Sequence, residues 1–107
     1  MTDPLIDRLR AQVGGVRDGA LLRFSIGNAL LADGQYEAAV HAFREALVFD
    51  PTYSAAWKLL GKALLAMDNE DGAAHAWQQG IDAATARGDL QASKEMAVFL
   101  NRLSRKR

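Results

Sequence analysis

Sliding the chain against itself by 34 places brings Gly27 onto Gly61, Ala29 onto Ala63, and Leu30-Leu31-Ala32 onto Leu64-Leu65-Ala66. The same shift pairs Ala39 with Ala73 and His41-Ala42 with His75-Ala76. Near-matches fill the intervals: Ile26 with Leu60, Phe43 with Trp77, Ala46 with Gly80, Leu47 with Ile81. Alanines and leucines coincide by chance in many chains. Glycines, histidines and aromatics falling in one phase do not. A period of this length means that one supersecondary unit is stacked on its own copy, each burying a face the other leaves open.

Within each period the apolar residues recur at helical spacing. Leu22, Ile26, Ala29 and Leu30 form one stripe, and Ala39, Phe43, Ala46 and Leu47 a second. Leu60 and Leu64, then Ala73, Trp77 and Ile81, repeat the pattern. Asp33-Gly34 and Asp68-Asn69 supply turns between paired helices. Asp50-Pro51 closes the first pair, because proline disfavours a helical residue before it and suits a helix start. Helices are predicted over 20–33, 36–49, 53–67 and 70–86. Gly27 and Gly61 are read as packing residues that let two helices approach, at a helix-propensity cost of about 1 kcal/mol each.

The residues that hold register carry a resemblance. The tetratricopeptide (TPR) pattern runs W-x2-L-G-x2-Y, then A-x3-F, then P, over 34 residues. The second unit reads Trp57, Leu60, Gly61, Leu64, Ala73 and Trp77; the first reads Arg23, Ile26, Gly27, Leu30, Ala39, Phe43 and Pro51. Arg23 replaces the Trp, leucines replace both Tyr, and Thr85 stands where the second Pro would be. The chain resembles the small stand-alone TPR proteins of bacteria. An all-α fold is implied, an antiparallel helix-hairpin solenoid of two repeats with flanking capping helices.

One domain over 1–107 is expected, with an N-terminal helix and loop at 1–19, units at 20–53 and 54–87, and a C-terminal capping helix with a basic tail at 88–107. Asp3-Pro4 looks like a helix start, with Leu5, Leu9 and Val13 lining one face before Gly14-Gly15. Gly88-Asp89 reads as a stop followed by an N-cap. Leu90, Met96, Phe99, Leu100 and Leu103 then form a stripe able to seal the last hairpin.

Function classes fall away on chemistry. There are no cysteines, which removes disulfides, thiolate zinc sites and cysteine nucleophiles. His41 and His75 occupy one slot of successive units, so they would stand roughly 10 Å apart on neighbouring helices, too far to share a metal. Neither a metal nor another cofactor is expected. The serines at 25, 54, 93 and 104 lie in no nucleophile-elbow or phosphate-loop pattern. No catalytic residues, and so no enzyme, are expected. No apolar run approaches the ~18 residues of a membrane span, and the start, Met1-Thr2-Asp3-Pro4, lacks the features of a secretory signal. A cytoplasmic protein without a membrane partner is expected.

Formal net charge is zero but unevenly spread. Residues 20–87 hold five basic and eight acidic side chains, whereas 88–107 hold five and two, with Arg102, Arg105, Lys106 and Arg107 clustered. That cluster suits a helix C-terminus. It is short and free of interleaved aromatics, which argues against a nucleic-acid partner.

What the resemblance implies instead is a protein-interaction module, an adaptor or co-chaperone-like scaffold. In TPR proteins the first helix of each unit lines a concave groove for a partner peptide or helix. Carried onto this chain, the groove residues are Phe24, Asn28, Leu31, Ala55, Lys58, Lys62 and Leu65. Lys58 and Lys62, four apart, share a helix face, and Asn28 precedes Lys62 by one period. Some TPR domains clamp a C-terminal carboxylate with lysine and asparagine in such slots; here Phe24 stands where the first clamp lysine would be. An acidic segment, or one with a free C-terminal carboxylate, is the expected partner. The alternative is a self-associating subunit, a homo-oligomer with no dedicated peptide ligand.

Overall fold

The computed structural model describes residues 3–106. Arg107, last of the basic cluster, and Met1 and Thr2 of the N-terminal segment lie outside the described residues. Six helices follow in order: α1 (Pro4–Arg10), α2 (Ala20–Ala32), α3 (Tyr36–Phe49), α4 (Ser54–Ala66), α5 (Glu70–Arg87) and α6 (Leu90–Lys106). Among the described residues there is no strand. The four central helices agree with the periodicity to within a residue at most ends.

Each turn between paired helices uses one device. At the end of α2, Gly34 adopts φ +77° and the Gln35 N–H reaches back to the Leu30 carbonyl at 2.9 Å. This left-handed closure satisfies carbonyls that the last turn would leave free. One period later Asp68 takes the glycine's place at φ +60°, and the Asn69 N–H reaches Leu64 at 2.9 Å. Asn69 then caps α5 by accepting from the Gly72 N–H at 2.9 Å. Gly88 (φ +79°) ends α5 in the same way, with the Asp89 N–H bonded to Ala84 at 2.8 Å.

α2 packs on α3 and α4 on α5 as antiparallel hairpins, and α3 and α5 each pack on the following helix. α2 also touches α4, and α4 touches α6, whereas α3 and α5 make no such approach. The molecule is therefore two layers, α2–α4–α6 and α3–α5, drawn together on the first side and splayed on the second. Its shortest dimension of 18 Å matches two helix thicknesses. Bending toward α2–α4–α6 makes that face concave.

The core lies between the layers. Phe43 from α3 and Trp77 from α5 are its aromatic centres, each pressed against the glycine of the preceding helix. A Cβ at Gly27 would stand 2.6 Å from the Phe43 ring, and one at Gly61 would overlap the Trp77 indole. The two glycines are contact points, as their phase predicts.

The flanks differ from expectation in register. In α1 the anchor is Ile6, fully buried, while Leu5 and Val13 are exposed and Leu9 is only half-buried. The helix ends at Arg10 after two turns, so a stripe running to Val13 has no helix to lie on. In α6 the buried residues are Ala92, Met96 and Leu103, with Phe99 and Leu100 partly covered; Leu90 is exposed. α5 is also four residues longer than α3, 18 against 14. The missing proline explains it: with Thr85 in that slot, the helix runs on to Gly88.

Candidate functional site

The concave face is built by α2, α4 and α6, and a ladder of side chains joins the last two. Ser54, buried at the start of α4, donates its hydroxyl to Asp89 Oδ2 at 2.9 Å. One turn on, Lys58 Nζ meets Glu95 Oε2 at 3.4 Å. After one more turn, the Lys62 ammonium lies 4.9 Å from the Phe99 ring centroid, within cation–π range. Beyond Lys62 and Phe99 the polar links stop. Leu65, Ala66, Trp77 and Leu103 line a slot of about 410 Å³ there, rimmed by Lys62, Arg102 and Lys106.

Each expected groove residue can be located against this frame. Asn28 and Lys62 are exposed, and Leu31, Ala55 and Leu65 are half-buried. Phe24 is half-buried too, stacked on Tyr53 with centroids 5.0 Å apart and 5.9 Å from Phe43. It joins the two hairpins rather than standing free. Lys58 is tied to Glu95 across the groove. Sequence reasoning did not find Glu95, Phe99 or the slot beyond them. Phe99 was visible in the apolar stripe of α6, but the longer α5 shifts α6 out of the 34-residue phase, so no period-based alignment pairs it with Lys62.

The departure at Arg23 also has a structural account. Trp57, one period later, lies against Gly80 and donates its indole N–H to the Pro51 carbonyl at 2.8 Å. Arg23 instead makes a bidentate contact with Asp18 (both 2.9 Å), bonds Glu45 at 2.7 Å, and lies over the Phe49 ring at 5.8 Å. Hydrogen bonds from Arg23 and from the Gly14 N–H hold the Asp18 carboxyl well below the usual range, and Asp18 raises the guanidinium in turn. Asp50 is lowered by the Thr52 hydroxyl and N–H and by Arg87. Asp89 is lowered by the Ala92 N–H and the Ser54 hydroxyl. Burial raises the Tyr53 phenol, with a smaller push from Asp50. The three carboxylates sit at helix junctions, where their hydrogen bonds hold the chain.

Among the described residues no group of His, Asp and Glu is placed to hold a metal, and His41 and His75 are both exposed. Among them, too, no helix is long and apolar enough to cross a membrane.

A two-layer array of helical hairpins with a concave first-helix face defines a class of helical-repeat interaction modules, in general non-catalytic. The chain belongs to the tetratricopeptide repeat family. The TPR repeat family model matches residues 27–68. A TPR repeat-containing protein of Pseudomonas aeruginosa is 45% identical over 103 residues, spanning 96% of this chain and 98% of that one. The solution structure of a protein from Bordetella parapertussis, 45% identical, superimposes with a TM-score of 0.84 over 98% of this chain and 91% of that one. The crystal structure of the Sgt2 TPR domain from Aspergillus fumigatus is 32% identical, with a TM-score of 0.78 over 94% of this chain and 64% of that one.

Proposed function

We propose that the concave face of α2 and α4 holds an extended or helical segment of a partner protein, making the chain an adaptor or co-chaperone-like module. The observation that carries this reading is the pairing of exposed polar groups with adjacent apolar footholds. Asn28 and Lys62 are exposed, with Leu31 and Leu65 half-buried beside them in the next turns of α2 and α4. Such a surface offers backbone-directed hydrogen bonds together with apolar area. A heat-shock protein cognate co-chaperone of Aspergillus fumigatus is 44% identical over 55 residues, 51% of this chain and 16% of that one, which supports a partner within protein-folding or assembly machinery. Lys58 serves as a strut in this reading, since Glu95 neutralises it.

A photo-reactive amino acid at position 28 tests the groove in the native cell, with position 41 on the other layer as control. A partner crosslinked from 28, absent from 41 and lost in a folded Lys62→Glu variant, is the expected result. Equal yields from both positions would remove the groove from the account. The Lys58→Glu, Glu95→Lys exchange separates strut from ligand. It should keep the crosslink if Lys58 only braces α6, and lose it if Lys58 touches the partner.

Self-association is the second reading. Leu21 and Val48, 69% and 83% exposed, lie with Phe49 at one end of the first hairpin. Molecular mass by light scattering across a hundredfold dilution distinguishes it: a constant monomer removes it, and a dissociating dimer favours it.

A further inference from the structure

The slot between the C-terminal halves of α4 and α6 has a defined shape, a dry floor and an unbalanced charge. We propose that it receives one large apolar side chain from an internal, acidic segment of the partner protein. This assignment rests on the groove reading above and adds to it the chemistry of the segment and the point where it is anchored.

The shape follows from the ladder. Ser54–Asp89 and Lys58–Glu95 hold the first halves of α4 and α6 together. In the second halves Ala66 projects only a methyl, and the space stays open over Leu65, Phe99 and Leu103. About 410 Å³ is ample for a phenylalanine or leucine side chain. The floor is dry for a specific reason. Trp77 is its one residue with a polar side-chain atom, and its indole N–H already donates to the Lys58 carbonyl at 3.1 Å. An apolar group can enter without stranding a donor.

The charge follows from what is already spent. On this part of the face Glu95 is neutralised by Lys58, and Asp89 is engaged by Ser54 and the Ala92 N–H. Lys62, Arg102 and Lys106 rim the slot, and Glu95 and Asp89 are engaged elsewhere. Three cations around an apolar slot attract carboxylates on either side of an inserted side chain and repel a basic segment. The basic end of α6 thereby becomes part of the site.

The test uses a hexapeptide of sequence Asp-Glu-Phe-Glu-Asp-Asp, acetylated and amidated so that it carries no chain-terminal carboxylate. It is titrated into the full-length protein labelled for amide NMR. Shifts are expected at Leu65, Ala66, Phe99 and Leu103 and at the Trp77 indole N–H. They should weaken steeply with salt. Replacing the peptide's phenylalanine by alanine, or reversing charge with Arg102→Glu and Lys106→Glu, should each weaken binding by about tenfold or more. Ala66→Trp, at an exposed position, fills the slot without disturbing the core and should abolish the shifts. Shifts confined to the Asn28 side and indifferent to these variants would overturn the slot while leaving the groove standing. No shifts at millimolar peptide, equal shifts with a lysine-substituted peptide, or displacement by laurate as effective as by peptide would also overturn it. If the slot alone is wrong, the crosslink at position 28 persists in the Arg102→Glu, Lys106→Glu variant; if the groove is wrong, wild type already gives equal yields from positions 28 and 41, so the two failures are distinguishable.

Discussion

The Trp77 indole packs directly on the Cα of Gly61, filling the volume in which any side chain at position 61 would begin. The ring is not free to retreat, because its N–H is bonded to the Lys58 carbonyl at 3.1 Å and it packs at a tilt on Phe99, with centroids 5.4 Å apart. Two effects oppose each other in Gly61→Ala. Alanine gains about 1 kcal/mol of helix propensity, while overpacking a filled core costs about 1–3 kcal/mol. The methyl would meet the ring in outright overlap, so the cost lies toward the upper end. A net loss of about 1–2 kcal/mol is expected, seen as a fall in Tm of about 5 °C or more. Gly27→Ala, against Phe43, should behave alike. A Tm unchanged or raised in both variants would mean that the glycines are not contact points.

These contacts explain why the hairpins are legible in the sequence. The phase that pairs Gly27 with Gly61 and Phe43 with Trp77 is a packing phase, because glycine and ring touch within each hairpin. Both hairpins could therefore be read from recurrence alone. The flanks could not. α1 is too short for a stripe to declare its register, and Ile6 is hidden beside the equally apolar Leu5. α6 follows a helix lengthened by the loss of a proline, so its residues fall outside the 34-residue phase. The Lys58–Glu95 pair leaves no trace in the repeat, because Glu95 lies in that out-of-phase helix. Asn28 and Lys62 could be placed on one face from spacing, but the slot beside Lys62 depends on how two helices diverge, which no residue pattern states.

Acid stability should depend on Asp18. Arg23 and the Gly14 N–H stabilise its ionised form, so its folded pKa lies below the unfolded value of about 3.9. A lowered carboxyl contributes stability that is fully present above the unfolded pKa and is lost as pH falls through the folded one. Asp50 and Asp89 are lowered as well and add to the same window. Unfolding midpoints in urea should thus be flat at neutral pH and fall as pH drops below about 4. Asp18→Asn removes one contributor. Its midpoint should be lower than wild type at pH 7, and the two should converge as the acid is titrated. Parallel curves down to pH 2 would show that Asp18 is not linked to folding.

The last helix should open as a unit of its own, and Asp89 is where it is fastened. That carboxylate accepts from the Ala92 N–H at 3.1 Å, capping α6, and from the Ser54 hydroxyl at 2.9 Å, tying α6 to α4. Asp89→Ala removes both contacts. The cap alone is worth about 1 kcal/mol, and the buried Ser54 hydroxyl loses its partner at a further cost of about 1 kcal/mol or more. α6 packs on α4 and α5 and not on α2 or α3, so the loss need not spread to the first hairpin. Amide exchange should therefore accelerate across α6 and at the adjoining end of α5, with α2 and α3 retaining wild-type protection. Ser54→Ala should give the same pattern more weakly, since the cap survives. Uniform acceleration through all six helices would instead show that α6 opens only with the whole molecule.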